Sequence, residues 1–239
     1  MTTIFKIATA VALAVGFGGQ VAAQTIGTAG VPTGFGIAGG TLALSMSGSY
    51  GPERTGGPNP TNGDASGSVL LGFGNPVSGL GVQGGVNVTS FRNFGASGYL
   101  SFGVHKMFQA NERGVYSIAL NGSHLAPWGD AERLDPGASL VGSYLTSLGG
   151  NLAMISLGAA TDTNNARDVE GIFGFGIGVS QNVAVSIGQI GNDRTAVGVS
   201  FAPSLLGGNT LSVSVNHNHR TNDNTLVVDI GRAFGLFKQ

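Results

Sequence analysis

The chain has 239 residues, of which only 10% are charged, with 11 Lys and Arg against 12 Asp and Glu. Average soluble domains carry about 25% charged residues. The net charge of −1 and the lack of a basic patch give no indication of a nucleic-acid partner. The absence of cysteine excludes a disulfide framework and lipid anchoring through a cysteine.

The first 23 residues are predicted to be a cleavable secretory signal peptide. Lys6 supplies a positive start, and the apolar run Ile7–Phe17 follows it. A membrane-spanning helix needs about 20 apolar residues, so this run is too short to be one. Val21 and Ala23 are the small residues expected at positions −3 and −1 of a cleavage site, which places the cut after Ala23 and predicts export.

Residues 24–39 form an N-terminal lead-in segment, and from residue 40 onwards large apolar residues alternate with small or polar ones. Alternation with a period of two is typical of β-strands whose two faces meet different environments. The pattern is clearest in Leu211–Asn218, and it resumes in Leu226–Gly231 after a polar turn. About twelve strands are predicted, with ten to fourteen left open. The predicted strands are 40–49, 66–74, 80–91, 97–107, 114–123, 138–147, 151–159, 171–180, 183–190, 194–202, 209–218 and 225–234.

The small face of these strands carries Gly, Ser, Ala, Asn and Thr, with few of the Lys and Glu residues that a soluble sheet presents to water. A membrane barrel places its apolar face in lipid and its small polar face in a lumen. We therefore predict an all-β fold over residues 40–239, namely a transmembrane antiparallel up-and-down β-barrel. A secreted soluble β-protein is the minor alternative. The least regular strand is 138–147, because Leu140-Val141 and Tyr144-Leu145 interrupt its alternation.

The connections between the predicted strands differ in length according to their order. The long polar connections 50–65, 124–137 and 160–170 are numbers one, five and seven, so all three emerge at the same end of the barrel. Outer-membrane barrels have long outer loops and short periplasmic turns. Most of the acidic residues lie in the odd connections, which predicts an acidic outer rim.

The cleavable signal, the absence of cysteine, the Gly-rich alternating strands and a final strand that runs to the C-terminus resemble Gram-negative outer-membrane β-barrel proteins of the porin type. In that class a terminal aromatic residue helps the barrel-assembly machinery to recognise the last strand. This chain has Phe234 and Phe237 but ends in Lys238-Gln239. A fainter likeness, to the membrane anchors of trimeric autotransporters, rests on Val183–Gly188 and Arg194–Ser200.

Asp229 is the only carboxylate that the predicted strands place inside the barrel, near Ser214. An eight-stranded barrel is filled by its side chains and the diameter grows with strand number, so we expect water to fill this lumen. The alternative is a plug formed by loop 50–65, by loop 124–137 or by residues 24–39. The predicted lumen-lining residues are Gln83, Asn87, Asn216 and Asp229, and the predicted outer-mouth residues are Arg54, Arg133 and Arg167.

Other motifs give weaker indications. Residues 34–39 match GxGxxG, but an alternating strand follows where a dinucleotide site needs a helix, and the chain has 43 glycines. His217 and His219 share one strand face, which favours a polar pair at the membrane rim over a metal site. Ser123 and His124 are adjacent without an orienting acid or a nucleophile elbow. We therefore predict no enzyme, no metal and no cofactor.

The preferred interpretation is a small passive outer-membrane channel for small hydrophilic solutes. The alternative is a structural or surface-interaction barrel, similar to an adhesin, that acts through its acidic outer loops. The predicted partners are outer-membrane lipid, the solutes and the barrel-assembly machinery, and both a monomer and an oligomer remain open.

Overall fold

Twelve β-strands form one closed antiparallel barrel in the computed structural model, which describes residues 26–51, 63–109, 114–161, 168–202 and 207–236. Each strand pairs with its neighbours in sequence, and β1 pairs with β12 to close the barrel. The strands are β1 (Thr41–Tyr50), β2 (Gly63–Gly74), β3 (Gly81–Val88), β4 (Gly98–Gln109), β5 (Gly114–Trp128), β6 (Gly137–Leu148), β7 (Asn151–Thr161), β8 (Val169–Gly178), β9 (Val183–Ile190), β10 (Arg194–Phe201), β11 (Asn209–Asn218) and β12 (Asp223–Gly235).

The predicted fold class and strand number are confirmed, and eleven predicted strands agree with the structure to within three residues at each end. The exception is β5, which continues through residues 124–128 where the sequence predicts a loop. His124 and Ala126 have positive φ angles of 53° and 44°. The pairing of β5 with β4 shifts register in the same region. Such an irregularity breaks the period of two, so the alternation pattern ends before the strand does.

The two ends of the barrel differ. Thr41 at the start of β1 lies opposite Gly235 at the end of β12, so both termini of the barrel chain are at one end, called here the termini end. The opposite end, called the loop end, carries the connections that follow β1, β3, β5, β7, β9 and β11. Among the described residues this includes a 3₁₀-helix, Gly129–Arg133. No helix in the described ranges is long and apolar enough to cross a membrane.

Alternate residues of each strand point outwards, and most of these are large and apolar, so the outer surface of the barrel is apolar. Leu157 and Val185 are examples, with 57% and 37% of their surface exposed. Two outward cations, Lys106 and Arg232, lie near the termini end, where long side chains reach the interface. Lys106 Nζ donates to the carbonyl of Val77 at 3.2 Å, and the Arg232 guanidinium lies over the ring of Phe234.

Candidate pore and the segment within it

Residues 26–39, called here the inner segment, lie inside the barrel. Ile26, Thr28 and Val31 are buried although they precede the first strand. The segment joins the wall at Gly40, whose N–H donates to the carbonyl of Gly72 and whose carbonyl accepts from Leu236 N–H. The expectation that water alone fills the lumen is therefore wrong, and the structure supports the alternative in which the N-terminal stretch enters it.

Three hydrogen bonds hold the middle of the inner segment against the wall. Gly34 N–H donates to Ser143 Oγ at 2.7 Å, and the Ser117 hydroxyl donates to the Gly34 carbonyl at 2.5 Å. Further along, Ile37 N–H donates to Gln83 Oε1 at 2.9 Å. These bonds satisfy backbone groups that would otherwise be costly to bury.

Glycines allow the inner segment and the wall to approach closely. A Cβ at Gly34 would overlap the carbonyl oxygen of Ser117, and one at Gly36 would overlap the imidazole of His105. On the wall, a Cβ at Gly176 or Gly188 would overlap backbone carbonyl oxygens of the segment, at residues 27 and 29 respectively. Two glycines of the GxGxxG match, Gly34 and Gly36, therefore serve packing inside the barrel.

Apolar side chains complete the contact between the inner segment and the wall. Val31 packs with Val141 and Ile172, and Ile26 packs with Leu145 and Met154. In β6, Val141 and Leu145 point inwards, which explains why the alternation of residues 138–147 is irregular. The inner face of that strand carries these two apolar residues because it covers the segment instead of facing water.

One part of the inner wall, called here the open sector, remains accessible. It consists of the inward residues of β1, β2, β11 and β12 that the inner segment does not cover, which leaves out Thr41, Gly72 and Asn216. Ser45 and Ser68 in this sector join their hydroxyl groups at 2.6 Å in an exposed contact. A cavity of about 190 Å³ separates the first residues of the inner segment from the neighbouring wall. The cavity lining includes Ser186, Ser200, Thr210, Ser212, Ser214 and Asp229.

Asp229 lies in the open sector, but its partner differs from the predicted one. The register places Ser212 opposite Asp229, and the Ser212 hydroxyl donates to Asp229 Oδ2 at 3.2 Å. Ser214 lies opposite Val227 instead. The difference arises because the connection after β11 is only residues 219–222, which moves the pairing by two residues.

Charge on the inner wall is mainly negative. The prediction that Asp229 is the only carboxylate inside the barrel is wrong. Asp64, Glu170 and Asp223 also occupy inward strand positions, near the loop end. Among the described inward strand positions the single Lys or Arg is Arg194. The described part of the inner segment contains no charged residue.

The four predicted lumen residues all lie on inward positions, with different surroundings. Gln83 binds the inner segment, as described above. Asn87 Nδ2 donates to Ser101 Oγ at 3.0 Å on the wall of β3 and β4. Asn216 lies beside Gly30, where a Cβ would come within 3.2 Å of its Oδ1. Asp229 is thus the one of the four that faces the cavity.

Of the three predicted mouth arginines, the structure describes only Arg133. Arg133 ends the 3₁₀-helix at the loop end and pairs with Asp130 at 3.5 Å, with both side chains more than 80% exposed. Arg54 and Arg167 lie outside the described residues. An arginine that we did not single out, Arg220, pairs with Asp193 and, at 3.8 Å, with Glu170.

The Arg220 pair perturbs Asp193, which lies in the connection between β9 and β10. Desolvation alone would raise the pKa of Asp193. The hydrogen bond that Arg220 donates, together with the positive charges of Arg220 and Arg194, outweighs this effect and lowers the pKa below its ordinary value of 3.8. The loop end therefore carries a network of opposite charges at this point.

The histidine pair lies at the loop end of β11. The rings of His217 and His219 meet edge to face at 4.6 Å. His219 Nε2 lies 2.9 Å from Thr195 Oγ1, and His217 Nδ1 lies 3.0 Å from Asn224 Oδ1. In the described part of the chain no group of three or more His, Cys, Asp or Glu residues is arranged to hold a metal ion.

A closed antiparallel barrel of twelve strands with a polar inner wall has the fold of porin-type outer-membrane β-barrels. The structure titled "KdgM porin in complex with disordered oligogalacturonate" has a TM-score of 0.54 to this chain at 7% identity, covering 80% of this chain and 99% of that one. A second KdgM porin structure has a TM-score of 0.52 at 6% identity, with the same coverage. These similarities establish the fold. No protein-family model matches the sequence, and the search of curated proteins found no match.

Proposed function

We propose that this chain is a small passive channel of the outer membrane that conducts small hydrophilic solutes and ions, and that it is not an enzyme. The observation that carries the proposal is the open sector, a polar strip of inner wall that the inner segment leaves accessible. Selectivity in such a passage depends on its width and on the charges that line it. The proposal includes export through the signal peptide 1–23 and insertion by the barrel-assembly machinery.

The charges of the inner wall favour cations over anions. Four carboxylates and one guanidinium, that of Arg194, occupy described inward strand positions. Arg220 from the loop end pairs with one of the four, Glu170, and Asp229 is the carboxylate at the cavity. The KdgM structure was solved with oligogalacturonate, an acidic oligosaccharide. We propose that the present channel prefers neutral or cationic solutes, because it offers acids where an acidic chain would need cations. The proposal keeps Arg54, Arg133 and Arg167 as a source of positive charge at the outer mouth, and of these the structure describes Arg133 alone.

A second candidate function is a structural or surface-interaction barrel. It is favoured by the amount of lumen that the inner segment occupies and by the acidic connections at the loop end. In that case the loops contact a partner and no solute crosses the barrel.

Planar-bilayer recording of the refolded chain 24–239 separates the two functions. We expect discrete unitary currents with a cation preference in the reversal potential. Asp229→Asn should reduce that preference, whereas Asp130→Asn, which removes the same charge from the exposed 3₁₀-helix, should have little effect. A folded, inserted barrel without unitary currents would contradict the channel and support the interaction role.

A further inference from the structure

We infer that the inner segment is the element that sets the size limit of the pore, which rests on the proposed channel function. The segment contacts inward residues on many strands. It meets β8 and β9 at its start, β5 and β6 at Gly34, and β2 at its end. Because this path crosses the lumen from wall to wall, the open sector is what remains of a wider barrel interior.

Backbone contact at glycines seats the segment in this position. Gly176 and Gly188 lie on the inner face of the wall, against the backbone carbonyls of residues 27 and 29. A side chain on either glycine would meet rigid backbone and not a flexible side-chain end. Such a side chain must therefore push the segment out of its place, while the outward, lipid-facing half of β8 and β9 stays unchanged.

The first test uses the full mature chain with Gly176→Val and Gly188→Val together. Valine is well tolerated in strands, so the wall itself should still form. We expect unitary conductance to rise by about twofold or more, since the cross-section available to ions grows when the segment leaves. Larger neutral polymers should then enter the pore and reduce its current.

Gly231→Val is the matched control. Gly231 is also an inward glycine, but it lies in the open sector of β12, and the nearest atom to its Cβ would be the carbonyl oxygen of Leu44 at 3.6 Å. The added side chain narrows the open sector without touching the segment. The conductance of this variant should therefore stay the same or fall.

A thiol reporter shows whether the segment has moved. The chain has no cysteine, so Val31→Cys creates a single thiol at a position that is 9% exposed. Labelling by a water-soluble maleimide should be slow in the otherwise unchanged chain and fast in the double-valine variant. If the thiol stays protected in the folded variant, the glycine contacts do not seat the segment and the inference is wrong.

The outcomes separate this inference from the proposed function. An accessible thiol with unchanged conductance overturns the inference and leaves the channel intact. If the wild-type barrel shows no unitary currents but the double-valine variant does, the wild-type chain is not an open channel. The segment is then what closes it. If neither folded chain shows unitary currents while the thiol of the variant is accessible, both the channel function and the inference about the segment are wrong.

A second variant tests the inference without adding a side chain to the barrel wall. Gly27 lines the cavity, and a Cβ there would have no atom within 4 Å, so Gly27→Cys should fold with the segment seated. Modification of this thiol by a charged methanethiosulfonate during recording should cut the current to about half or less if the segment borders the passage. An unchanged current would show that ions pass elsewhere. Asn151→Cys, on the outward face of β7, serves as the control.

Discussion

The amide of Gly34 donates to Ser143 Oγ at 2.7 Å, and this bond joins two residues that are 109 positions apart in the sequence. Ser143 Oγ is also 2.7 Å from Ser156 Oγ, so the bond continues into the wall of β6 and β7. Ser143 and Ser156 are buried, and leaving a buried donor unpaired costs about 1–3 kcal/mol. The position of the inner segment therefore depends on wall strands far along the chain.

We expect Gly34→Val to destabilise the barrel by about 1–3 kcal/mol, the usual cost of forcing extra methyl groups into a packed site. The new Cβ would overlap the carbonyl oxygen of Ser117 and come within 2.9 Å of Ser143 N. Urea unfolding in lipid vesicles measures the free energy. Gly27→Ala adds a methyl group to the same segment in open space and should leave the stability unchanged. Equal effects of the two substitutions would show that the close contact is unimportant.

The apolar contact between the inner segment and β6 predicts a cost for truncating Val141. Val141 is fully buried and packs against Val31, so Val141→Ala should lower the free energy of unfolding by about 2 kcal/mol through lost burial and a residual cavity. Val227→Ala makes the same change at an inward position of the open sector. It should cost less than half as much, and a similar loss at both sites would argue that the segment adds no packing energy.

The lipid-facing band predicts that a charge at mid-strand is costly. Ile155 points outwards near the centre of β7 and is 39% exposed. Ile155→Lys should destabilise the inserted barrel by about 2–4 kcal/mol, whereas Asn151→Lys, at the end of the same strand, should cost about 0–1 kcal/mol. The same urea titration in vesicles compares them. If both lysines were tolerated equally, this face would not lie in the hydrocarbon.

The charge network at the loop end predicts a dependence on pH. Since Arg220 helps to lower the pKa of Asp193 in the folded state, the carboxylate stabilises the fold above its unfolded pKa. This contribution disappears as the pH falls through the lower, folded pKa. Arg220→Gln should raise the pKa of Asp193 towards 3.8, which removes this stabilising contribution above the unfolded pKa and, with it, the loss of stability that Asp193 causes in acid.

Carbon-13 NMR of labelled aspartate in detergent micelles follows this titration directly. Arg133→Gln removes an equivalent guanidinium from the separate exposed pair with Asp130 and should leave the Asp193 midpoint in place. An unchanged midpoint in Arg220→Gln would mean that the ion pair does not form in solution.

The barrel itself can be predicted from the sequence because the strand pattern is local. Each strand in Leu211–Asn218 or Leu226–Gly231 shows its two faces directly as alternating residue types. The pairing register of two strands depends on the exact length of the turn between them. The sequence predicts a longer turn between β11 and β12 than the structure has, and therefore predicts Ser214 instead of Ser212 opposite Asp229. The irregular part of β5 at His124 and Ala126 was missed because positive φ angles leave no trace in residue type there.

The entry of residues 24–39 into the lumen could be predicted only as one of several alternatives, since the contacts of this segment come from strands that meet only after the barrel closes. Residues 26–39 have no periodicity that indicates a wall or a plug. One signal was present in the sequence, namely the inward apolar residues Val141 and Leu145. A strand with apolar residues on both faces needs a second apolar partner inside the lumen, and the segment supplies it.

The attachment at Gly40 has a consequence for how firmly the lumen is occupied. Its carbonyl and amide bind Leu236 and Gly72, so the segment ends at the seam where the first and last strands meet. A peptide held by a short tether has an effective local concentration of the order of millimolar. Even weak contacts will therefore return the segment to its seat after each excursion, and dilution cannot remove it. The occupation of the lumen by the segment is therefore an equilibrium within one chain.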